Sequence, residues 1–307
     1  MEPSKIGRCR EGQPGRVLAL QEVRGERQRL LAVDLAKRRV AARQPLSGSV
    51  QQLARAAHDL VMLLAPAQAI GPARIAVADG RGAVRFVQLG RILAGSKLLG
   101  TGSDHRVDAR LPGLALDPQS RRAFVVDKSV AAEIDLRSLA VTYHTLERRP
   151  SFLSRPWNPL EPAAAAKQVS RHVRQAHWLG NNLLAVSGTD TDQSRIQPAG
   201  LLVADARDWS VRTVDRGATS FEVAGDALLA MGERIGLAAH GFDGGKRFQQ
   251  FEGRQAWLAQ VYGGRAYVGI SVEQMLRVVD VTAGSVVATQ QQPLPWLLLG
   301  DGGGWYD

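Results

Sequence analysis

The sequence predicts an all-β protein built from repeats of one antiparallel unit, and three observations support this prediction. A hairpin pattern recurs in which an Asp is followed six residues later by Val. A second pair of apolar strands precedes most of these hairpins. The two chain ends look like complementary parts of one further unit. Four short antiparallel strands per repeat, closed into a ring, are typical of a β-propeller.

The hairpin pattern is clearest at residues 130–146, VAAEIDLRSLAVTYHTL. We expect a strand that ends in an Asp, whose carboxylate accepts hydrogen bonds from the backbone of the following turn, before the partner strand begins. Two looser copies turn near Asp79 and at His240, which we place in the Asp position. The four regular copies pair Asp34 with Val40, Asp135 with Val141, Asp205 with Val211, and Asp280 with Val286.

The strand pair that precedes the hairpin is most complete in GLALDPQSRRAFVVD, residues 113–127. Asp117-Pro118 is a turn signal between its two apolar runs. Such runs are nearly continuous in apolar residues, as expected of strands covered on both faces. A hairpin and the strand pair before it give four strands per repeat, so six repeats predict six blades. Seven blades are the alternative if two blades have been merged into one repeat.

The two ends of the chain are predicted to close the ring. PWLLLGDGGGWYD, residues 295–307, supplies inner strands without outer ones, whereas LLAVD (30–34) and VAARQ (40–44) supply outer strands. Joining the ends completes one blade and removes two exposed sheet edges. We therefore predict a polar, basic N-terminal tail at 1–15 and a single β-propeller domain at 16–307.

Composition limits the partners and the location. The net charge is +10, but the arginines are spread along the chain and not clustered with aromatic residues, which argues against nucleic acid as a partner. No apolar stretch reaches the roughly 18 residues that span a bilayer, and no signal segment is expected. Cys9 is the single cysteine, so no intrachain disulfide forms. We expect a cytoplasmic monomer without membrane contact.

The segments GLALDPQSRRAFVVDKSVAAEIDLRSLAVT and LRVVDVTAGSVVATQ resemble the YVTN-type and lactonase-like propeller repeats of bacteria. The resemblance covers most of residues 16–307 and concerns the repeat pattern. It implies functions from lactone hydrolysis and streptogramin lysis to simple binding, so it does not select one. A lyase would need a paired His and Glu with a divalent metal. Glu233 and Glu273 lie in comparable connections, but no His is in register with them.

Three long insertions are predicted on one end of the propeller, which we call the loop-rich face: residues 89–110, 148–174 and 188–200. Loops longer than about a dozen residues in a compact domain are usually functional or disordered. The middle insertion is Pro-rich and then helix-like from Pro162 to His172. The loop-rich face is therefore the predicted binding surface.

Candidate ligand-binding side chains lie in these insertions, in other turns, or on inner strands. The carboxylates of SGTDTDQS suit a hard cation, but the pattern of a calcium loop is incomplete, so no metal site is predicted. Loop polarity and core packing are simpler explanations for most candidates. The candidates are Asp104, His105, Asp108, Trp157, His172, Asp190, Asp192, Glu233, Trp257 and Trp296.

The sequence contains no G-x-S-x-G, no H-E-x-x-H and no dinucleotide-binding glycine motif. We therefore predict a non-enzymatic scaffold that binds a protein or small ligand on the loop-rich face without a cofactor. One alternative is a lactonase- or lyase-like hydrolase at the channel mouth, with residues drawn from His105, Asp108, His172 and Glu233. Weak polyanion binding through dispersed arginines is a third possibility.

Overall fold

The computed structural model describes residues 16–23, 27–56, 59–99, 106–146, 170–192, 195–270, 273 and 275–291. All regular structure in these residues is β-strand, as predicted. The chain divides into two compact units, Met1–Leu184 with Thr191–Ser194, and Ala185–Asp190 with Arg195–Asp307. Nowhere in the described residues is there a helix long and apolar enough to cross a membrane.

The described residues of the first unit form these complete strands: β1 (Arg16–Val23), β2 (Arg27–Asp34), β3 (Arg39–Pro45), β4 (Ser49–Ala56), β5 (Asp59–Ala65), β6 (Gly71–Ala78), β7 (Val84–Leu99), β8 (Arg106–Leu111), β9 (Gly113–Asp117), β10 (Arg122–Asp127), β11 (Val130–Asp135), β12 (Val141–Thr145) and β13 (Arg171–Gly180). They form sheets in the orders β1-β2-β3, β4-β5-β6-β7-β8-β13 and β9-β10-β11-β12. Neighbouring strands in these orders run antiparallel, except that β8 and β13 are parallel.

The division between the units falls within β14 (Leu183–Asp192). The strands that follow belong to the second unit: β15 (Arg195–Pro198), β16 (Leu201–Asp205), β17 (Val211–Asp215), β18 (Ser220–Ala224), β19 (Ala227–Gly232), β20 (Gly236–Gly241), β21 (Lys246–Gln250), β22 (Ala256–Tyr262), β23 (Arg265–Ile270), β24 (Met275–Asp280) and β25 (Val286–Gln291). Two consecutive four-stranded sheets, β18-β19-β20-β21 and β22-β23-β24-β25, match the predicted repeat.

The core of each unit lies between successive sheets. In the first unit Leu63 and Ile75 of the β4–β8 sheet belong to one buried cluster with Val125 and Ile134 of the β9–β12 sheet. In the second unit the β18–β21 sheet packs in the same way on the β22–β25 sheet. Because middle strands are covered on both faces, their sequences are continuously apolar, as predicted.

The predicted role of the recurrent Asp is confirmed by the turns. β11 ends at Asp135, whose Oδ1 accepts hydrogen bonds from the N–H groups of Arg137 (2.9 Å) and Ser138 (2.7 Å), and β12 then begins at Val141. Asp280 accepts in the same way from Thr282 and Ala283. Equivalent bonds are made at Asp34, Asp79 and Asp205.

The placement of His240 in the Asp position is wrong by one residue. Gly241 occupies that position, because its N–H donates to the Gly245 carbonyl (2.8 Å) as the N–H of Asp280 donates to Ser285 (2.9 Å). Asp243 supplies the turn carboxylate by accepting from the Gly245 N–H. Side chains alternate along a strand, so His240 faces the opposite side, where it is 2% exposed.

The insertions are more regular than predicted. Residues 89–99 continue β7, which forms an antiparallel ribbon with β8, so much of the first insertion is strand. In the last insertion, residues 188–190 belong to β14 and 195–198 to β15. The prediction of a helix that ends at His172 is wrong at its end, because β13 begins at Arg171. Ladder pairing satisfies backbone groups that a loop would leave to water.

Residues 292–307, the predicted source of the closing strands, lie outside the described residues. Closure of the ring and the number of blades therefore stay predictions, as does the single domain.

Candidate functional site

The structure brings together two of the predicted candidates, Asp108 on β8 and His172 on β13. Asp190 is half-buried on β14, and Glu233 is exposed in the turn between β19 and β20. For Asp192 on β14 and Trp257 on β22 only the backbone is described. The candidates outside the described residues are Asp104, His105, Trp157 and Trp296.

The parallel pairing of β8 with β13 creates this site. Ala109 pairs with Arg171 and Arg110 with His172, so the side chains of His172 and Arg110 lie on the same face. Ser170 and Arg174 follow the alternation of β13 onto that face, and Asp108 follows the alternation of β8. With Asp127, at the end of β10, these residues form what we call the β8–β13 cluster: Asp108, Arg110, Asp127, Ser170, His172 and Arg174.

Ser170 connects the two strands at the start of β13. Its carbonyl accepts a hydrogen bond from the N–H of Ala109 (3.0 Å), and its own N–H donates to Oδ1 of Asp108 (3.0 Å). Its hydroxyl oxygen lies 3.3 Å from Nε2 of His172. The arrangement fixes a hydroxyl and an imidazole side by side.

Two side chains of the cluster are buried although they are polar: His172 is 6% exposed and Arg174 is 5% exposed. One N–H of the Arg174 guanidinium donates to the carbonyl of Val173 (2.9 Å). Buried arginine is rare in proteins unless the charge is compensated nearby.

Asp127, at the end of β10, experiences the charges of Arg174 and Arg110. Burial raises the pKa of Asp127 above its ordinary value, and the charges of Arg174 and Arg110 only partly oppose that shift. A backbone hydrogen bond from Lys128 and the charge of Lys128 also oppose it. A carboxylate with a raised pKa beside named charges is a functional-site candidate.

The cluster does not complete a hydrolytic triad. A nucleophile and its base ordinarily lie about 2.6–3.2 Å apart, and the base is oriented by a third group. Here Oγ of Ser170 and Nε2 of His172 are 3.3 Å apart. Asp108 accepts a hydrogen bond from the N–H of Ser170. Within the described residues no group of three or more His, Cys, Asp or Glu side chains is arranged to hold a metal ion. The groups of the cluster can recognise a ligand through charge and hydrogen bonds.

Sequence analysis missed four members of the cluster: Arg110, Asp127, Ser170 and Arg174. The signal for two of them was present, because Arg110 and Arg174 stand two residues after the candidates Asp108 and His172. Strand alternation puts such residues on one face, but the helical prediction for 162–172 hid this on β13. Asp127 resembled an ordinary turn residue at a strand end.

A second polar cluster, the Arg122 network, lies on the β9–β12 sheet of the same unit. The guanidinium of Arg122 donates to Asp117 (2.9 Å) and to Glu133 (2.9 Å). Glu133 in turn lies 3.0 Å from Nε2 of His144, and Asn182 accepts a longer bond from Arg122.

Two aromatic rings complete the Arg122 network. Phe124 and Trp178 stack with their ring centroids 5.0 Å apart and an interplanar angle of 10°. The guanidinium carbon of Arg122 lies 5.4 Å from the first ring centroid and 5.5 Å from the second. Cation–π attraction adds to the ion pairs, so this arginine connects β9, β10, β11 and β13.

Two solved structures resemble this chain. BamB from Moraxella catarrhalis aligns with a TM-score of 0.51 at 12% identity, over 94% of this chain and 76% of BamB. The fold is a β-propeller. Dihydro-heme d1 dehydrogenase NirN in complex with DHE aligns over 90% of this chain with a TM-score of 0.52 and 12% identity. The chain covers 55% of NirN, so it spans about half the length of that protein.

At these identities the likeness establishes the propeller fold alone, which confirms the predicted fold class. No protein-family model and no curated protein matches the sequence. The narrower resemblance to YVTN-type and lactonase-like repeats therefore stays a prediction.

Proposed function

We propose that this protein is a non-enzymatic β-propeller scaffold and that it binds its ligand at the β8–β13 cluster. The observation that supports the proposal is the parallel pairing of β8 with β13, which brings the carboxylate of Asp108, the hydroxyl of Ser170 and the imidazole of His172 together. Asp108 on β8 belongs to the predicted insertion 89–110, and His172 on β13 belongs to the predicted insertion 148–174.

The geometry favours binding over catalysis. Oδ1 of Asp108 accepts the Ser170 N–H, so this carboxylate helps to hold β8 and β13 together. Hydroxyl, imidazole, carboxylate and guanidinium groups nevertheless converge within one small region. A few such convergent polar groups are what fixes the orientation of a ligand in a binding site.

The test is a thermal-shift screen of the full-length protein against carboxylates, phosphates, amines, sugars and lactones. We expect at least one compound to raise the Tm of the wild type, and His172→Gln to abolish that rise. Arg171→Gln is the matched control, because Arg171 is exposed on the opposite face of β13. If no compound stabilises the wild type, or if both variants lose the response equally, the binding proposal is wrong.

A second candidate function, ester or lactone hydrolysis, is favoured by one observation, the 3.3 Å separation between Ser170 Oγ and His172 Nε2. A small closure on substrate binding would bring this pair into the range of a nucleophile and its base. The test is turnover of p-nitrophenyl acetate and γ-butyrolactone, with and without divalent metals. Turnover that Ser170→Ala abolishes would replace the scaffold proposal by hydrolysis. Turnover that Ser170→Ala leaves unchanged would exclude this pair as the catalyst.

A further inference from the structure

We propose that the outer edge of β3 binds an acidic segment of a partner protein, which adds to the β1-β2-β3 sheet as a further strand. The inference concerns other residues than those of the β8–β13 cluster and does not depend on ligand binding there. It follows from the open edge of β3, from the cations along this edge and from their lack of carboxylate partners.

The strand β3 has a partner strand on one side only. It is the last strand in the order β1-β2-β3, and within the described residues no strand pairs with its other side. Most of its side chains are exposed, namely those of Arg39, Val40, Ala41, Arg43 and Pro45. The backbone N–H and C=O groups of such an edge can pair with an added extended peptide.

Five exposed cations accompany this edge. Lys37 and Arg38 lie in the turn between β2 and β3, Arg39 and Arg43 lie on β3, and Arg81 lies in the turn between β6 and β7. Within the described part of the chain, none of these five side chains forms an ion pair or a hydrogen bond. Their donors are therefore available to a partner.

The turn that contains Arg81 packs directly on β2 and β3. A Cβ atom at Gly82 would lie 2.9 Å from the Cβ of Ala32 and 3.6 Å from the Cβ of Ala42, so the backbone approaches as closely as only glycine allows. This contact brings the charge of Arg81 to the edge that also contains Arg39.

The two carboxylates of this region bind turn backbone. Oδ1 of Asp34 accepts a hydrogen bond from the N–H of Lys37 (3.0 Å). Oδ1 of Asp79 accepts from the N–H groups of Arg81 (2.8 Å) and Ala83 (2.9 Å). The five cations exceed these two carboxylates by three charges, which favours an acidic partner through electrostatic complementarity.

The arginines of β7, the second strand of the next hairpin, are engaged within the protein. The guanidinium of Arg85 donates to the carbonyls of Leu136 (2.8 Å) and Arg137 (2.6 Å). The guanidinium carbon of Arg91 lies 5.2 Å from the ring centroid of Tyr143.

The second strands of the later hairpins also lack free arginines in the described residues. On β17, Arg212 donates to the carbonyl of Phe242, and on β21, Arg247 pairs with Asp226 at 2.7 Å. The strands β12 and β25 contain neither Lys nor Arg. The accumulation of unpaired arginine is thus particular to β3. Charges on an edge strand also hinder aggregation, a role that needs no acidic partner.

The cations of β3 lie on both faces of the sheet. Arg39 pairs with Asp34 and Arg43 pairs with Leu31, and because the register shifts between these pairs, the two arginines point to opposite faces. An added strand alternates its side chains between the same two faces, so neighbouring acidic residues would each meet a cation. Nucleic acid fits this edge less well, because residues 34–45 contain no aromatic side chain for base stacking.

The experiment measures the Kd of a fluorescein-labelled peptide of Glu-Glu-Val repeats on the full-length protein by fluorescence anisotropy. The combined variant Arg39→Gln and Arg43→Gln should weaken binding about 10-fold, the scale of two exposed ion pairs. The matched control is Arg137→Gln combined with Arg216→Gln, which removes the same charge from two other exposed positions and should leave the Kd unchanged.

Two further probes separate strand addition from simple charge attraction. The same peptide with N-methylated valines keeps its charge but cannot pair fully with a strand, so it should bind about 10-fold more weakly, the scale of one or two lost hydrogen bonds. Saturation with the unmodified peptide should slow the amide hydrogen exchange of residues 39–45. A labelled oligothymidylate tests nucleic acid and should bind more weakly than the peptide.

Four results would each overturn the inference. These are no binding of the acidic peptide to the wild type, equal weakening by the control pair, equal affinity for the N-methylated peptide, and tighter binding of oligothymidylate. With no peptide binding, the arginines of β3 would serve only to keep the edge from aggregating. The His172-dependent response of the β8–β13 cluster is measured separately, so these results leave that proposal standing.

Discussion

Asp117 at the end of β9 and Asp127 at the end of β10 belong to the same sheet, yet their pKa values shift in opposite directions. Burial alone would raise the pKa of Asp117, but hydrogen bonds from Arg122 and Ser120 outweigh it, and the pKa is lowered. At Asp127 burial prevails over the charges of Arg174 and Arg110, and the pKa is raised. The difference is direct pairing: Arg122 contacts Asp117 at 2.9 Å, whereas the other two arginines act on Asp127 through their charge.

This comparison separates a structural cluster from a candidate functional one. In the Arg122 network each charge meets an opposite charge or an amide, so the network holds strands together. In the β8–β13 cluster Asp127 has a raised pKa, because burial outweighs the charges around it. The Arg122 network stabilises the fold, and we propose that the β8–β13 cluster binds a ligand.

The largest expected loss of stability comes from removing the guanidinium of Arg122 from the Arg122 network. Arg122→Ala leaves Asp117, which is 2% exposed, and Glu133 without their cation. We expect the free energy of unfolding to fall by about 3 kcal/mol, the scale of breaking a buried pair from one side. Urea denaturation at pH 7 measures it.

The control for Arg122→Ala is Arg121→Ala. Arg121 pairs with Asp59 at 2.7 Å, but its side chain is 42% exposed. Exposed pairs contribute less than about 1 kcal/mol. Equal losses for the two variants would contradict the view that the Arg122 network is a structural centre.

An intermediate loss of stability is expected at the pair of His240 and Asp215 in the second unit. Nε2 of His240 lies 3.3 Å from Oδ2 of Asp215, within ion-pair distance but without hydrogen-bond geometry. Burial opposes ionisation of Asp215, yet the His240 contact lowers the pKa of Asp215 overall.

We expect His240→Ala to cost about 2 kcal/mol through the cavity and the lost pair, as measured by urea denaturation. If His240→Ala lowers the free energy of unfolding more than Arg122→Ala does, the contacts of these two residues do not predict the order of their contributions to stability.

Asp127→Asn is expected to raise stability at pH 7, by about 1 kcal/mol, the scale of one imperfectly paired buried polar group. The folded-state pKa of Asp127 is above its ordinary value of 3.8, so folding favours the protonated carboxyl. The stability that this carboxyl contributes is present below pH 3.8 and is lost as the pH rises through the folded-state pKa. Thermal unfolding of both proteins from pH 3 to 8 should therefore show the gain at neutral pH and its disappearance in acid.

The pH dependence of the Arg122 network has the opposite sign. Because the pKa of Asp117 is lowered, its contribution is present above pH 3.8 and is lost as the pH falls through the folded-state pKa. If Asp127→Asn lowers stability at pH 7, Asp127 is a structural residue like Asp117. The contrast between the Arg122 network and the β8–β13 cluster would then be wrong.

The smallest expected effect is at the exposed turns. Asp135 has a lowered pKa because the backbone and hydroxyl of Ser138 and the backbone of Arg137 donate to it. Asp135→Asn keeps an acceptor but loses the charge, so we expect Tm to fall by about 1 °C at pH 7. Differential scanning calorimetry measures this. The difference should disappear as the pH falls through the folded-state pKa of Asp135, because the wild-type carboxylate then becomes protonated.

The turns and the clusters also differ in how far the sequence reveals them. Asp135 bonds to residues two and three positions away, so its role is written in a short segment and was predicted correctly. His240 was misplaced by one residue, because the glycines of HGFDGGK allow the turn to form at Gly241 instead. Asp108 and His172 were both named as candidates, but in separate insertions.

By itself the sequence determined that this chain is all-β, that its repeats form antiparallel sheets, and where five of its hairpins turn around an Asp. These features depend on residue periodicity and on hydrogen bonds between near neighbours. Only the tertiary structure decided that β8 and β13 lie side by side in parallel, so that Asp108 meets Ser170 across 62 residues of chain. Such a pairing depends on the packing of whole strands, and no local pattern specifies which distant strand will supply the partner.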